Sequence, residues 1–183
     1  RLPARADRAG PAVSVPSTIA VIGAPGAGKS TVGKQLASRL GVPFIDVDSR
    51  IEHEQGQLIR EIFADHGEAR FRELERAATL AALAEPGVVS LGGGAVLTPA
   101  IAEALRGLSV VWLSVSVTQA SRRVGLNQAR PLLLGNLRGT LIKLLAERTP
   151  VYQNLATITV DTDHASARAI VDQIMAELEE VDE

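Results

Sequence analysis

The run Gly23-Ala24-Pro25-Gly26-Ala27-Gly28-Lys29-Ser30 constrains the fold more than any other feature of the chain. It fits the pattern G-x-x-x-x-G-K-[ST]. Before it lies a β-branched, apolar stretch from Thr18 to Ile22; after it, Val32, Leu36, Ala37 and Leu40 keep helical spacing. In a strand-loop-helix setting such glycines let backbone N–H groups converge on phosphate oxygens, and the helix N-terminus adds partial positive charge. Gly26, Ala27 and Gly28 then form the cradle, and Thr31 extends the same turn. Lys29 is placed to bridge the β- and γ-phosphates of ATP, and the Ser30 hydroxyl to hold Mg2+. An ordinary flexible βα turn is the competing reading, disfavoured by the strand and helix on either side. The motif implies nucleotide binding but not catalysis, because switches, motors, transporters and small-molecule kinases all use it.

The remaining pattern continues the alternation. Residues 42–47 read as a second strand, 51–64 as short helices broken at Gly56, and 68–83 as a longer helix stopped by Pro86-Gly87. A third strand follows at 87–91, then a helix at 98–105 opened by Thr98-Pro99, and a fourth strand at 110–113. Residues 119–124 look helical, 125–139 lack a steady period and read as a mobile lid loop, and a helix resumes at 141–146. A last strand at 157–160 precedes a terminal helix whose Ile170, Val171, Ile174, Met175 and Leu178 form one buried stripe. The expected fold is α/β: a five-stranded parallel sheet with helices on both faces and ligands at the carboxyl ends of the strands.

With 183 residues, the chain fits a single domain over 17–183, and residues 1–16 read as a disordered extension. Apolar residues make up 46% but aromatics only 3%, which suits a core of Ala, Val, Leu and Ile between helices and a sheet. A net charge of −2 supplies no global basic field, so neither nucleic acid nor an anionic membrane is an expected partner. No apolar run reaches the roughly 18 residues of a membrane span. Cysteine is absent, which excludes thiolate metal sites and cysteine nucleophiles and fits a reducing compartment; a cytoplasmic monomer is the expectation. His53, His66 and His164 are dispersed and lack the paired spacing of a zinc helix.

Two further features lie at predicted carboxyl edges of the sheet. Asp46 and Asp48 flank Val47 at the end of the second strand, where the two-residue period points both carboxylates to one face. One can hold a magnesium-bound water while the other accepts a hydrogen bond from an attacking hydroxyl; equally, the pair can be a polar strand end capping the next helix. Gly92-Gly93-Gly94 follows the third strand, and three residues without side chains let a ligand approach the backbone closely.

At these residues the chain resembles the shikimate kinase family, in the nucleoside monophosphate kinase-like branch of P-loop folds. The phosphate loop to Thr31, the Asp46-Val47-Asp48 pair, Phe71-Arg72 followed by Glu75, the triple glycine, Arg130-Pro131-Leu132-Leu133 and Arg148-Thr149-Pro150-Val151-Tyr152 occur in the family's order. The resemblance implies ATP-dependent phosphorylation of the 3-hydroxyl of shikimate, with ATP and shikimate as the small-molecule partners. It further implies that Asp48, Arg72, Gly93 and Arg148 bind shikimate, the two arginines holding its carboxylate, with Gly92 and Gly94 beside them. Arg130 would lie in the lid and neutralise charge on the transferring phosphoryl, Arg123 would stack on adenine, and Lys29, Asp48 and Arg130 would form the catalytic set. Magnesium would sit at Ser30 and Asp46, and the acceptor region would span about 48–83.

Other readings compete at particular residues. Arg72 has Glu68 four positions before it and Glu75 three after, the spacing of a surface helix network. Residues 116–150 carry Arg122, Arg123, Arg130, Arg138, Lys143 and Arg148 against Glu147 alone, either an anion site or a solvated basic face. Some relatives carry a proline after the last strand where this chain reads Asp161-Thr162-Asp163-His164-Ala165-Ser166-Ala167, which bears on the adenine wall. The rival functions are another small-molecule kinase, for gluconate or a nucleoside monophosphate, and a noncatalytic nucleotide-binding module.

Overall fold

The computed structural model describes residues 18–126 and 134–181. Five parallel strands, β1 (Thr18–Ile22), β2 (Phe44–Asp46), β3 (Gly87–Ser90), β4 (Ser109–Ser114) and β5 (Ile158–Asp161), lie in the order β2-β3-β1-β4-β5. β1 is central, and all five of its residues are buried. Ile19 and Val21 point into a core shared with Leu36, Val171 and Ile174, whereas Ala20 and Ile22 point into one shared with Ile51, Phe71, Leu105 and Tyr152. The two-residue period of one strand therefore feeds both layers.

Helices α1 (Lys29–Leu40) and α7 (Ala167–Val181) cover the first face. Helices α2 (Val47–Gln55), α3 (Ile59–Leu83), α4 (Pro99–Leu105) and α6 (Leu134–Leu155) contribute to the second, and α5 (Val117–Leu126) packs on α6. A 3-10 turn at Ala95–Leu97 links the triple glycine to α4. β1 pairs with β3 on one side and β4 on the other, so the connections leaving the sheet diverge at its carboxyl end, where α/β folds bind ligands.

Three boundaries differ from the sequence expectation. The second strand ends at Asp46 and helix α2 starts at Val47, because the Asp46 side chain accepts a hydrogen bond from the Ser49 N–H at 3.1 Å and caps that helix. The stretch expected as loop to 139 is already helical from Leu134, its Leu, Ile and Leu positions joining a helix that runs through Pro150. The helix expected at 68–83 is the second part of α3, which continues across Gly67 at φ 80° and ψ 171°. The expected extension at 1–16 and the part of the expected lid at 127–133 lie outside the described residues. Among the described residues no helix is long and apolar enough to cross a membrane.

Candidate active site

A cleft of about 330 Å3 opens at the carboxyl ends of β1, β2 and β3, lined by the phosphate loop, by Asp46 and Asp48, and by residues 90–93. Lys29 Nζ donates to the carbonyl oxygens of Gly23 at 2.9 Å and Ala24 at 3.1 Å, so the ammonium lies back across the loop. Its burial pushes its pKa down to about 8, an effect only partly offset by the charges of Asp48 and Asp46. Gly26 has φ +81°, and a Cβ there would lie 3.1 Å from both Ala120 O and Val124 Cγ2, so helix α5 rests directly on the loop. That approach requires glycine.

Asp46 and Asp48 share the cleft, although not by the strand alternation expected of them. Asp46 is the N-cap of α2 and Asp48 lies in its first turn, so both the capping role and the cleft-facing role hold for this pair. Ser30 Oγ donates to Asp46 Oδ2 at 2.6 Å. Asp48 Oδ1 is buried and accepts no hydrogen bond among the described residues, and burial, with Asp46 and Glu75 nearby, pushes its pKa up to about 6. A hydroxyl, a carboxylate and an unpartnered carboxylate oxygen form a hard oxygen set. It fits Mg2+, which takes one or two protein groups and keeps water and phosphate for the rest.

The triple glycine is the floor on which Asp48, Arg72, Glu75 and Arg148 meet. A Cβ added at Gly92 would lie 2.8 Å from Glu75 Oε2 and 3.1 Å from Asp48 Oδ1. At Gly93 it would lie 3.0 Å from Arg148 Nη1, and at Gly94 2.9 and 3.0 Å from Arg72 Nη2 and Nη1 and 3.1 Å from Arg148 Nη2. Helices α3 and α6 thus bring two guanidinium groups, 76 residues apart in sequence, over one side-chain-free point. Arg72 does belong to a helix network: Nη1 donates to Glu75 Oε1 at 2.8 Å, and Nε lies 3.5 Å from Glu68 Oε1. The side chain in that network is therefore also the one whose guanidinium lies over Gly94. Arg148 Nε is buried without a partner among the described residues.

Arg123 braces the phosphate loop. Its Nη1 donates to Gly26 O at 3.0 Å and Thr162 Oγ1 at 3.1 Å, and its Nη2 donates to Thr162 O at 2.7 Å, tying the phosphate loop to the turn after β5. Thr162 in turn donates from Oγ1 to Ser114 O at 2.8 Å. Arg130 lies outside the described residues.

Sequence reading names three residues that the structure places here but gives them no role. Glu75 is a buried carboxylate, signalled only by its position one turn beyond Arg72. Thr162 is buried beneath Arg123, in the segment after the last strand that the sequence flags only as a whole. Tyr152, the chain's one tyrosine, is fully buried and donates to Gly93 O at 2.6 Å; its spacing of four from Arg148 is the available clue.

Comparison with known proteins places this geometry in context. A family model described as shikimate kinase matches residues 25–179. A shikimate kinase of Thermobifida fusca is 50% identical over 159 residues, covering 86% of this chain and 92% of that protein. The structure of shikimate kinase from Acinetobacter baumannii in complex with shikimate superposes with a TM-score of 0.85 at 33% identity, over 92% of this chain and 95% of that one. A gluconokinase from Sinorhizobium meliloti, at TM-score 0.57 and 21% identity over 91% and 93% of the two chains, shares the fold.

Proposed function

This chain belongs to the shikimate kinase family, and from that premise we propose how its cleft divides the work of phosphoryl transfer. The chain catalyses ATP-dependent phosphorylation of the 3-hydroxyl of shikimate, giving shikimate 3-phosphate and ADP on the route to chorismate and the aromatic amino acids. A cytoplasmic site of action is part of the proposal.

The convergence of Arg72 and Arg148 over Gly94 carries the acceptor reading. Guanidinium forks make paired, charge-assisted bonds to a planar carboxylate, so an acid docks there. The unpartnered carboxylate of Asp48 lies over Gly92, two residues away, a reach of at most about 7 Å. A six-membered ring acid spans that interval with its carboxylate at the arginines and a ring hydroxyl at Asp48. Asp48 then accepts the hydroxyl's hydrogen bond and orients the oxygen toward the phosphate loop.

On the donor side, the cradle from Gly26 to Thr31 receives the phosphates, and Lys29 exchanges its two carbonyl partners for phosphate oxygens. Ser30 and Asp46 are the residues that would hold Mg2+, which when bound supplies charge neutralisation at the β- and γ-phosphates. Arg123 buttresses the adenine edge. Arg130 is assigned to the transferring phosphoryl on family resemblance alone, within a proposed lid. Positioning and electrostatics of this kind are what a loose phosphoryl-transfer transition state gains most from.

The test is ADP release measured with shikimate, gluconate, AMP and CMP as acceptors, with the product identified by mass. Turnover with shikimate and a phosphate ester on its 3-oxygen is expected. Turnover with gluconate but not shikimate, or with no acceptor at all, sinks the assignment.

A further inference from the structure

Tyr152 has no part in the phosphoryl-transfer scheme above, yet among the described residues it is the largest fully buried side chain, and its hydroxyl reaches the floor of the acceptor site. The hydroxyl donates to Gly93 O at 2.6 Å, while the ring packs beside Trp112 with centroids 5.9 Å apart. A peptide unit is planar and trans, so the carbonyl of Gly93 and the N–H of Gly94 point in opposite directions from one rigid plate. Holding that carbonyl from the core side turns the Gly94 N–H away from it, on the residue over which Arg72 and Arg148 converge. The N–H groups of Gly93 and Gly94 have no acceptor among the described residues, so they are available to a ligand. The neighbouring peptides are held by backbone bonds, Ala95 N–H to Gly92 O and Leu97 N–H to Gly94 O at 3.1 Å each, whereas the Gly93–Gly94 peptide is held among the described residues by the Tyr152 hydroxyl, and glycine admits more orientations than any other residue.

We infer that Tyr152 is a positioning residue for the acid substrate: its hydroxyl locks the Gly93–Gly94 peptide so that the backbone, together with the two guanidinium groups, forms the carboxylate seat. Tyr152 also lies one turn beyond Arg148 on α6, so the residue that sets the peptide and a residue that grips the carboxylate move as one rigid element. The burial that raises the phenol's pKa keeps it a proton donor throughout the neutral range. This inference rests on shikimate as the acceptor and deepens that reading.

Tyr152→Phe removes the hydroxyl and keeps the ring against Trp112. The Michaelis constant for shikimate is expected to rise about tenfold, the effect of one hydrogen bond of about 1.4 kcal/mol. The constant for ATP should stay within twofold of wild type. Shikimate dependence within twofold of wild type overturns the inference, and so does a parallel rise for both substrates, since general loosening of the fold would move both.

A measurement without substitution guards against a variant that folds poorly. The chain has one tyrosine, so biosynthetic 3-fluorotyrosine places a single 19F label at this site. Titration with shikimate should shift that resonance saturably, and a resonance unmoved at saturating shikimate counts against the positioning role. Failure of the functional reading itself would appear elsewhere, as wild-type protein that turns over no shikimate.

Discussion

Arg72 and Glu75 form an asymmetric ion pair: Nη1 and Oε1 are 2.8 Å apart, the glutamate side chain is 2% exposed and the arginine side chain 32% exposed. The buried partner therefore serves as an anchor, and the arginine reaches from it over Gly94. Glu75→Ala should cost about 2 kcal/mol in chemical denaturation. That is less than the roughly 3–5 kcal/mol of a fully buried pair, because Arg72 keeps a third of its surface in water. The same variant should raise the Michaelis constant for shikimate, because the unanchored guanidinium loses its fixed direction.

Gly94→Ala separates binding from folding. Gly94 has φ −94° and ψ −4°, which alanine adopts without strain, but the new Cβ would press on three guanidinium nitrogens at 2.9 to 3.1 Å. Flexible side-chain ends can yield, so the melting temperature should change little. The displaced forks should raise the shikimate constant by at least tenfold, comparable with Arg72→Ala, and a variant with wild-type kinetics would refute the shared floor.

Lys29 makes nucleotide binding dependent on pH. Its ammonium is held at a pKa of about 8, chiefly by burial, and phosphate oxygens beside it raise that value on binding. Binding then takes up protons as pH rises through 8, so affinity for ADP without divalent cation should be level below about pH 7 and fall between pH 8 and 9.5. A lysine at its ordinary 10.5 would give no such fall. Titration calorimetry in buffers of different ionisation enthalpy reads the proton uptake directly, and Lys29→Ala should abolish both the pH dependence and phosphoryl transfer.

Thr162→Val keeps the volume beneath Arg123 and removes a hydroxyl that both donates to Ser114 O and accepts from Arg123. The expected loss is about 1–2 kcal/mol of stability, with a severalfold rise in the ATP constant and an unchanged shikimate constant. A rise confined to shikimate would be inconsistent with Arg123 as a brace for the phosphate loop.

Legibility in the sequence tracks how local each signal is. The phosphate loop and β1 can be read directly, because eight consecutive residues carry the chemistry and the flanking periods carry the fold. Asp46 and Asp48 are found for a partly wrong reason. Their side chains do reach the cleft, but through a helix cap and first turn, since Asp46 satisfies Ser49 N–H better than a further strand residue would. Arg72 and Arg148 need the family resemblance, because nothing local indicates that α3 and α6 point them at the same glycine. The roles of Glu75, Tyr152 and Thr162 go unread because they depend on tertiary placement: burial for Glu75, and contacts across 39 to 59 residues for Thr162 and Tyr152.

The burial of β1 on both faces also fixes the order in which the molecule comes apart. Amide hydrogens of residues 19–22 can exchange with solvent only when both layers separate, which is global unfolding, whereas the largely exposed stretch from 52 to 70 can open by itself at far lower free energy. The phosphate loop continues directly from the tighter strand, whereas Asp48 and Arg72 flank the looser stretch on either side. Deuterium labelling should fill residues 52–70 long before residues 19–22.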